Sequence, residues 1–377
     1  MATGQELDLD KETFLARYWQ RKPLLVRQAL RDFRSPVSSH QLAGLGLEND
    51  IESRLIEQAA GQWHLHHGPF SRNDYQRDTP WTLLVQAVDH YLPEVAALRD
   101  LVDFIPRWRV DDVMVSYAVD GGSVGPHYDN YDVFLLQGEG RRLWRLGQFC
   151  DGDSPLLPHD ELRILGLFEC QEEHVLEPGD MLYIPPGVAH WGIAQGECTT
   201  FSIGFRAPRL SDMVSRWVDR LLETMDPDLF YSDALQESVT RPGEIRPRDL
   251  ERALAQPQGA LDQEVDTHWF GELVTEPRYE PGADGDDLAE ARALLEDGAA
   301  WVALSPAAKL AWQQESQGMV VFANGESREF PDSVLPCLVD LCGNRRLEGD
   351  ALAAVLADPA SDELLNYLLE ADCIYVE

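Results

Sequence analysis

The chain has 377 residues, of which 66 are acidic and 31 basic, so its formal net charge is −35 and its pI is about 4.5. Such a surface repels phosphate backbones and anionic lipids, and we therefore expect neither direct nucleic-acid binding nor membrane attachment. Hydrophobic residues make up 44% of the sequence, which allows sizeable cores, and the length predicts two or three domains.

The cysteines and the N-terminus predict a cytoplasmic protein. None of the six cysteines forms a C-x-x-C pair, and all lie in the last two-thirds of a long chain, which favours a reducing compartment over a disulfide framework. The first residues, MATGQELDLDKETF, are polar and acidic, unlike a signal peptide. No apolar run approaches the ~18 residues that a membrane span requires.

The first half of the chain predicts a β-rich domain preceded by helices. Asp10 is placed to cap a first helix that ends at Lys22-Pro23, and the apolar residues at 83, 84, 87 and 88 predict a second helix. Short β-type runs then alternate with Gly/Pro turns, at residues 113–119, 133–136, 143–146, 181–184 and 199–205. Several short strands separated by turns predict an all-β barrel or sandwich.

The pattern becomes helical after Pro208. Met213, Trp217, Leu221 and Leu222 follow a helical spacing, and further apolar residues extend to about residue 273. A helical region of about 60 residues is small for a core of its own. We therefore expect it to pack on the barrel or on a second copy of itself.

The C-terminal part combines helices with strands. Residues 280–287 are interpreted as a linker, followed by a predicted helix over 288–295 and a strand over 301–304. Asn324-Gly325 predicts a hairpin, since this dipeptide is typical of type I′ turns. A helical pattern over 352–369, interrupted before Pro359, leads into an apolar tail. Helices with a hairpin indicate a winged-helix-like module.

Two segments carry residues with metal-binding chemistry. In GPHYDNYDVF, His127 and Asp129 lie two residues apart on a predicted strand and so point to the same face. In the second segment, a strand ends in a Pro-Pro-Gly turn that leads to His190, in the G-x5-P-x-G-x2-H pattern of a cupin barrel's second motif. Two histidines and a carboxylate form the facial triad of non-heme Fe(II) oxygenases. An H-x-D pair alone is common by chance, and it is the combination with the second motif that makes the prediction specific.

Arg142 is the candidate for binding a co-substrate. It follows His127 across a pattern of strand, Gly turn and strand, so an antiparallel hairpin returns it toward the metal. A guanidinium binds a carboxylate through two hydrogen bonds, which suits the distal carboxylate of a metal-chelating dicarboxylate. Arg141 alternates to the opposite face, although a shift of one residue in register would exchange the two.

Other clusters have simpler explanations. His64, His66 and His67 fit a structural strand better than a metal site, and Cys337 and Cys342 fit packing on a helix face. The sequence contains no Walker-type loop, nucleophile elbow or dinucleotide fingerprint.

The two motif segments resemble the JmjC branch of the 2-oxoglutarate oxygenases. Five further segments resemble the bacterial ribosomal oxygenases of the YcfD type, namely residues 14–30, 67–70, 81–94, 201–208 and 268–274. The resemblance implies an α+β chain that begins with a JmjC double-stranded β-helix (a cupin or jelly-roll barrel) with flanking helices. It implies three parts: this catalytic domain over residues 1–209, a helical dimerisation region over 210–279 and a winged-helix-like domain over 280–377.

The same resemblance implies a dioxygenase that depends on Fe(II), with 2-oxoglutarate and O2 as co-substrates. It implies hydroxylation of an arginine β-carbon on large-subunit ribosomal protein sixteen. Carried over by position, the catalytic metal ligands are His127, Asp129 and His190, and Arg142 anchors 2-oxoglutarate.

Four further residues are weaker candidates for the site. Ser116 and Thr200 either contact the co-substrate or are ordinary hydroxyls facing the sheet. Asp120 either meets the substrate arginine or is a turn residue beside two glycines. Tyr131 either contacts substrate or packs against the barrel.

The expected partners are a basic ribosomal protein as substrate and a second copy of the chain in a homodimer. The alternatives are a JmjC oxygenase acting on another residue, as a histidine hydroxylase or lysine demethylase, and a non-enzymatic metal-sensing cupin regulator. Residues 210–377 carry 35 acidic and 12 basic side chains, net −23, which argues against a DNA-binding regulator. The acidity itself reflects either salt adaptation of the host or steering of a basic substrate.

Overall fold

The computed structural model describes residues 7–234, 236–238, 240–261, 265–279, 288–296 and 301–377. The chain forms two compact units, one of Met1–Ala207 with Ser305–Ala307 and one of Pro208–Leu304 with Ala308–Glu377. The predicted boundary after residue 209 lies two residues from this division. The predicted linker over 280–287 lies outside the described residues, and a separate dimerisation region stays a prediction.

The first unit contains three α-helices and eleven strands within its described residues. Its helices are α1 (Lys11–Arg17), α2 (Ser39–Leu45) and α3 (Pro93–Ala96). Its strands are β1 (Leu24–Val26), β2 (Ser53–Ala59), β3 (Gln62–His67), β4 (Trp81–Val85), β5 (Val110–Ala118), β6 (Val133–Gln137), β7 (Arg141–Phe149), β8 (Glu172–Leu176), β9 (Met181–Ile184), β10 (Val188–Gln195) and β11 (Cys198–Phe205). Asp10 caps α1 as predicted, because its carboxylate accepts a hydrogen bond from the Thr13 N–H at 3.0 Å.

The strands form two antiparallel sheets. One hydrophobic core lies between the two sheets, and a second lies between the large sheet and the helices. The large sheet has the order β1-β9-β6-β11-β5-β4-β2-β3, and the small sheet has the order β10-β7-β8. Side chains alternate between faces along each strand. On β6, Val133 and Leu135 pack with Trp144 and Leu146 of the small sheet, inside the barrel. Phe134, between them, joins the aromatic and aliphatic layer on the outer face. This is the predicted double-stranded β-helix.

The helix predicted around Leu83 was wrong, because the segment forms strand β4. Leu83 faces the outer core, while Leu84 pairs with Ser116 on the inner face. Ala87 then has a left-handed backbone with φ 49° and precedes a short 3₁₀ turn. Every residue of β4 is buried, and a short apolar run buried on both faces cannot be distinguished from a helix by periodicity alone.

The second unit combines helices with two small sheets. Its helices are α4 (Leu210–Thr224), α5 (Pro247–Leu261), α6 (His268–Thr275), α7 (Leu288–Glu296), α8 (Leu335–Asn344), α9 (Gly349–Ala357) and α10 (Pro359–Glu370). Its strands are β12 (Val302–Leu304), β13 (Leu310–Glu315), β14 (Gly318–Ala323), β15 (Glu326–Phe330), β16 (Arg346–Leu347) and β17 (Ile374–Val376). They form the sheets β16-β12-β17 and β13-β14-β15.

The C-terminal features predicted from turn chemistry are confirmed. Asn324 and Gly325 have φ of 47° and 92°, the two positive values that a type I′ turn requires, and they connect β14 to β15. The helical pattern is interrupted before Pro359 as expected, where α9 ends and α10 begins. Cys337 is buried on α8 in the unit's core. Within the described residues, no helix has the length and apolarity needed to cross a membrane.

Candidate active site

The structure brings His127, Asp129 and His190 together inside the barrel. Their ligand atoms all lie within 4.8 Å of one another, and the described residues contain no other such group of three. His190 Nε2 lies 3.7 Å from Asp129 Oδ2. The backbones of the two histidines exchange hydrogen bonds of 3.0 and 2.8 Å, and their ring centroids are 4.3 Å apart. The cluster is therefore formed by two chain segments paired directly at the ligand positions.

Backbone carbonyls determine the tautomer of both histidines. His127 Nδ1 lies 2.9 Å from the Gly125 carbonyl, and His190 Nδ1 lies 3.0 Å from the Val188 carbonyl. A carbonyl oxygen only accepts, so each Nδ1 carries the proton and donates it, and each Nε2 is left with its lone pair. Burial, with a smaller contribution from His127, lowers the pKa of His190 to about 4, although Asp129 opposes the shift. Both features favour the neutral imidazole that binds a metal.

The Pro-Pro-Gly turn connects the two motifs. Gly187 has φ of 80°, a left-handed value that L side chains rarely adopt. Its N–H donates a 2.8 Å hydrogen bond to the Asp129 carbonyl. A short local turn after β9 thus ties the segment that carries His190 to the segment that carries Asp129.

Arg142 is a buried cation on the inner face of β7. It is 5% exposed, and its Nη1 donates hydrogen bonds to Ser116 Oγ at 3.1 Å and to Thr200 Oγ1 at 3.3 Å. It forms no ion pair with a carboxylate of the described chain, and its buried Nε has no hydrogen-bond partner. Burial lowers the pKa of the guanidinium. Arg141 is exposed on the opposite face, as predicted. The predicted hairpin was wrong, because β6 lies in the large sheet while β7 pairs with β10 and β8 in the small one.

These residues fit the predicted metal and co-substrate. Two neutral imidazoles and one carboxylate are the donor set of a facial Fe(II) site, in which the remaining positions stay open to other ligands. A buried guanidinium without a counter-ion is costly unless an anion joins it. Arg142, with two hydroxyls at its Nη1, is thus suited to an anion such as the distal carboxylate of 2-oxoglutarate.

Of the two substrate candidates, the structure brings one to the metal ligands. The charge of Asp129, followed by burial, raises the pKa of Tyr131. Tyr131 remains 42% exposed, so its ring reaches both the ligand and the surface. Asp120 is exposed instead, and it accepts a 2.7 Å hydrogen bond from the Gly196 N–H. Gly196 follows β10, six residues beyond His190, which places Asp120 at the other end of the barrel.

Asp112 is a buried acidic residue on the inner face of the barrel that the sequence interpretation did not consider. It is 5% exposed and accepts a 2.7 Å hydrogen bond from Gln86 Nε2. Ser116 points inward to Arg142, and the alternation of strand β5 therefore turns Asp112 inward as well. The charge of Asp112 also contributes to the raised pKa of Tyr131. The predicted strand began at residue 113, and an earlier start would have revealed this acid.

Comparisons with known proteins agree with this geometry. A JmjC domain model matches residues 97–213, and a ROXA-like winged-helix model matches residues 261–375. The chain is 35% identical to "Ribosomal protein uL16 3-hydroxylase" of Escherichia coli strain K12, over 99% of both proteins. It is 34% identical to "Probable ribosomal oxygenase" of Haemophilus influenzae, over 84% of this chain and 81% of that protein.

A solved structure gives the same result for the fold. The ribosomal oxygenase YcfD of Escherichia coli, in complex with cobalt and 2-oxoglutarate, superposes with a TM-score of 0.81 over 99% of both chains at 33% identity. Full-length similarity at this level, with both domain models matched, establishes the family. The chain belongs to the bacterial ribosomal oxygenases, a group of JmjC-type 2-oxoglutarate oxygenases.

Proposed function

We propose that this protein hydroxylates ribosomal protein uL16 in the cytoplasm, at the β-carbon of an arginine, with Fe(II), 2-oxoglutarate and O2. The observation that carries the proposal is the pairing of the His127–Asp129–His190 cluster with a buried Arg142 that lacks a carboxylate partner in the described chain. The name of the Escherichia coli relative supports the substrate protein. The resemblance of the sequence supports arginine as the target residue.

The residues of the site divide into a metal-holding and a co-substrate-holding group. His127, Asp129 and His190 would hold Fe(II), which together with 2-oxoglutarate supplies the oxidation of a C–H bond by O2. Arg142 would bind the distal carboxylate, and Ser116 and Thr200 keep its guanidinium in place by accepting two hydrogen bonds. The side chains orient the reactants and exclude water, while the bound groups supply the oxidation.

We further propose that Asp112 receives the guanidinium of the substrate arginine. An arginine in the barrel requires an acid on the inner face, and Asp112 faces inward, where its charge acts on Tyr131 as the charge of Asp129 does. A charge-assisted hydrogen bond to a carboxylate also selects arginine over neutral side chains. Asp120 is exposed and lies at the other end of the barrel, so it is less suited to this role.

The test is an assay with uL16 and with peptides that contain its arginines. We expect a mass gain of one oxygen atom that depends on Fe(II) and 2-oxoglutarate, located on arginine by fragmentation. Peptides with the arginine replaced by lysine serve as controls, and histidine peptides and methyl-lysine peptides test the two other oxygenase outcomes. Asp112→Asn should raise the KM for the arginine peptide at least tenfold and leave the affinity for 2-oxoglutarate unchanged. No oxygen gain on any uL16 arginine would contradict the proposal.

We also propose that the chain acts as a homodimer through the helical region. Of the 20 large apolar side chains that are exposed among the described residues, ten lie between residues 210 and 261. Leu210 and Val214 share one face of α4, and Leu250 and Leu254 share one face of α5. Such a concentration of exposed apolar surface is unusual for a monomer and is typical of an oligomer interface. A second copy of the chain would cover it.

A further inference from the structure

The connection between β7 and β8 has an uneven distribution of apolar side chains. It runs over residues 150–171 without a helix or strand, and connections of this length are usually functional. Ile164 and Leu165 are buried within it. Four other apolar side chains are 37–74% exposed, three of them leucines of the connection and one the last residue of β7. We call these four the connection patch: Phe149, Leu156, Leu157 and Leu167.

This patch is concentrated in one segment of the chain. Residues 7–207, all of them described, contain seven exposed large apolar side chains, and four of the seven form the patch. Single exposed apolar side chains are normal on a protein surface. A group within one segment is a mark of a binding surface, particularly when polar residues surround it.

The connection that carries the patch is hydrogen-bonded directly to the metal-ligand segments. The Leu165 N–H donates a 2.8 Å hydrogen bond to the Pro126 carbonyl, next to His127, and the Cys150 N–H donates one of 2.7 Å to the Gly187 carbonyl. A Cβ on Gly187 would lie 2.5 Å from the Phe149 ring, so this ring lies against the turn that is bonded to Asp129. An extended chain advances ~3.3–3.6 Å per residue. A substrate residue at the metal would therefore be only a few residues from one on Phe149.

The surroundings of the patch are acidic. Residues 150–171 contain five acidic side chains, all exposed, against one arginine: Asp151, Asp153, Asp160, Glu161 and Glu169. The arginine, Arg163, lies over the Tyr128 ring and donates a 3.3 Å hydrogen bond to the Tyr128 hydroxyl. An apolar surface bordered by carboxylates is complementary to a chain segment that alternates apolar and basic side chains.

We propose that this patch docks the protein substrate beside the metal site. It binds apolar side chains of a basic substrate segment that lies a few residues from the hydroxylated residue. The inference rests on the proposed function and extends it, because it places part of the specificity outside the barrel. The apolar contact holds the segment on the surface, while the carboxylates attract its positive charge. A short peptide that contains only the target residue and its neighbours would not use this surface.

The test compares Phe149→Ser/Leu167→Ser with the matched control Leu15→Ser/Tyr91→Ser, whose side chains are exposed elsewhere on the same unit. For intact uL16, the patch variant should lose at least tenfold in kcat/KM and in equilibrium affinity measured without O2, and the control should lose neither. The loss should persist at high salt, because the contact is apolar. Both variants should match the wild type in turnover of the short peptide and in affinity for 2-oxoglutarate.

Two results would overturn the inference, and each has a different meaning. If the wild type hydroxylates uL16 and the patch variant does so within twofold, the patch does not bind substrate, and the proposed function is unaffected. If the wild type neither binds nor hydroxylates uL16, the proposed function fails and the docking surface fails with it.

Discussion

Replacement of Arg142 by lysine tests the co-substrate site without removing its charge. Lysine retains one positive charge but loses the planar fork that binds a carboxylate through two hydrogen bonds. Arg142 is buried and holds Ser116 and Thr200 through its Nη1 atom, so a lysine ammonium cannot reproduce the same contacts. Arg141→Lys is the matched control, because that side chain is exposed on the opposite face of the same strand.

The expected loss of 2-oxoglutarate affinity follows from the hydrogen bond that the substitution removes. A hydrogen bond to a charged group contributes about 1.5–3 kcal/mol, and at 1.4 kcal/mol per factor of ten its loss weakens 2-oxoglutarate binding about 10- to 100-fold. A ligand at 100 times its Kd stabilises the folded protein by about 2.7 kcal/mol. At the same concentration, 2-oxoglutarate would be at about 1–10 times its Kd for Arg142→Lys. It would stabilise the folded state of this variant by only about 0.4–1.4 kcal/mol.

The assay measures thermal unfolding without O2, with Fe(II) present, as 2-oxoglutarate is added. For a unit of about 200 residues, 1 kcal/mol corresponds to about 2–4 °C in Tm. The wild type and Arg141→Lys should gain about 5–10 °C, and Arg142→Lys about 1–5 °C. An equal gain in both variants, or a loss confined to Arg141→Lys, would refute the assignment of the anchor.

Three further predictions concern the metal, the pH response and the assembly. His127→Ala and Asp129→Ala should each abolish substrate-linked succinate production and weaken Fe(II) binding in equilibrium dialysis; retained turnover would contradict the metal assignment. Because His190 has a folded pKa of about 4 against 6.5 for the free side chain, the unfolded metal-free chain binds an extra proton between these values. Stability should therefore decrease as the pH falls from 6.5 to 4, and urea unfolding of His190→Asn should show a smaller dependence if the assignment is correct. Leu222→Asp on α4 should convert dimer to monomer in sedimentation experiments, whereas Val339→Asp, exposed on α8, should not; an unchanged mass for Leu222→Asp would count against the helical interface.

The metal ligands were predictable because each motif is local. His127 and Asp129 lie two residues apart between β5 and β6, where the predicted strand does not form, and the turn at Gly187 leads to His190 within a few residues. The inward face of Arg142 was predictable from the alternation along one strand, although the hairpin predicted to return it does not form, because β6 and β7 belong to different sheets. Two other features depend on contacts between segments that are distant in the sequence. The position of Asp112 depends on where β5 starts and on its inward face, and the helix predicted at Leu83 is excluded only by the pairing of β4 with β2 and β5.

The sequence by itself determined the type of chemistry predicted for this protein, because the candidate metal ligands and the candidate co-substrate anchor are contained in short motifs with characteristic spacing. It also determined the strong negative charge and the change from strands to helices near residue 208. The tertiary structure alone decided which acid faces the barrel and which apolar side chains stay exposed beside it. The physical reason is that the face of a strand and the burial of a side chain depend on register and on packing against distant segments, which a local pattern does not specify.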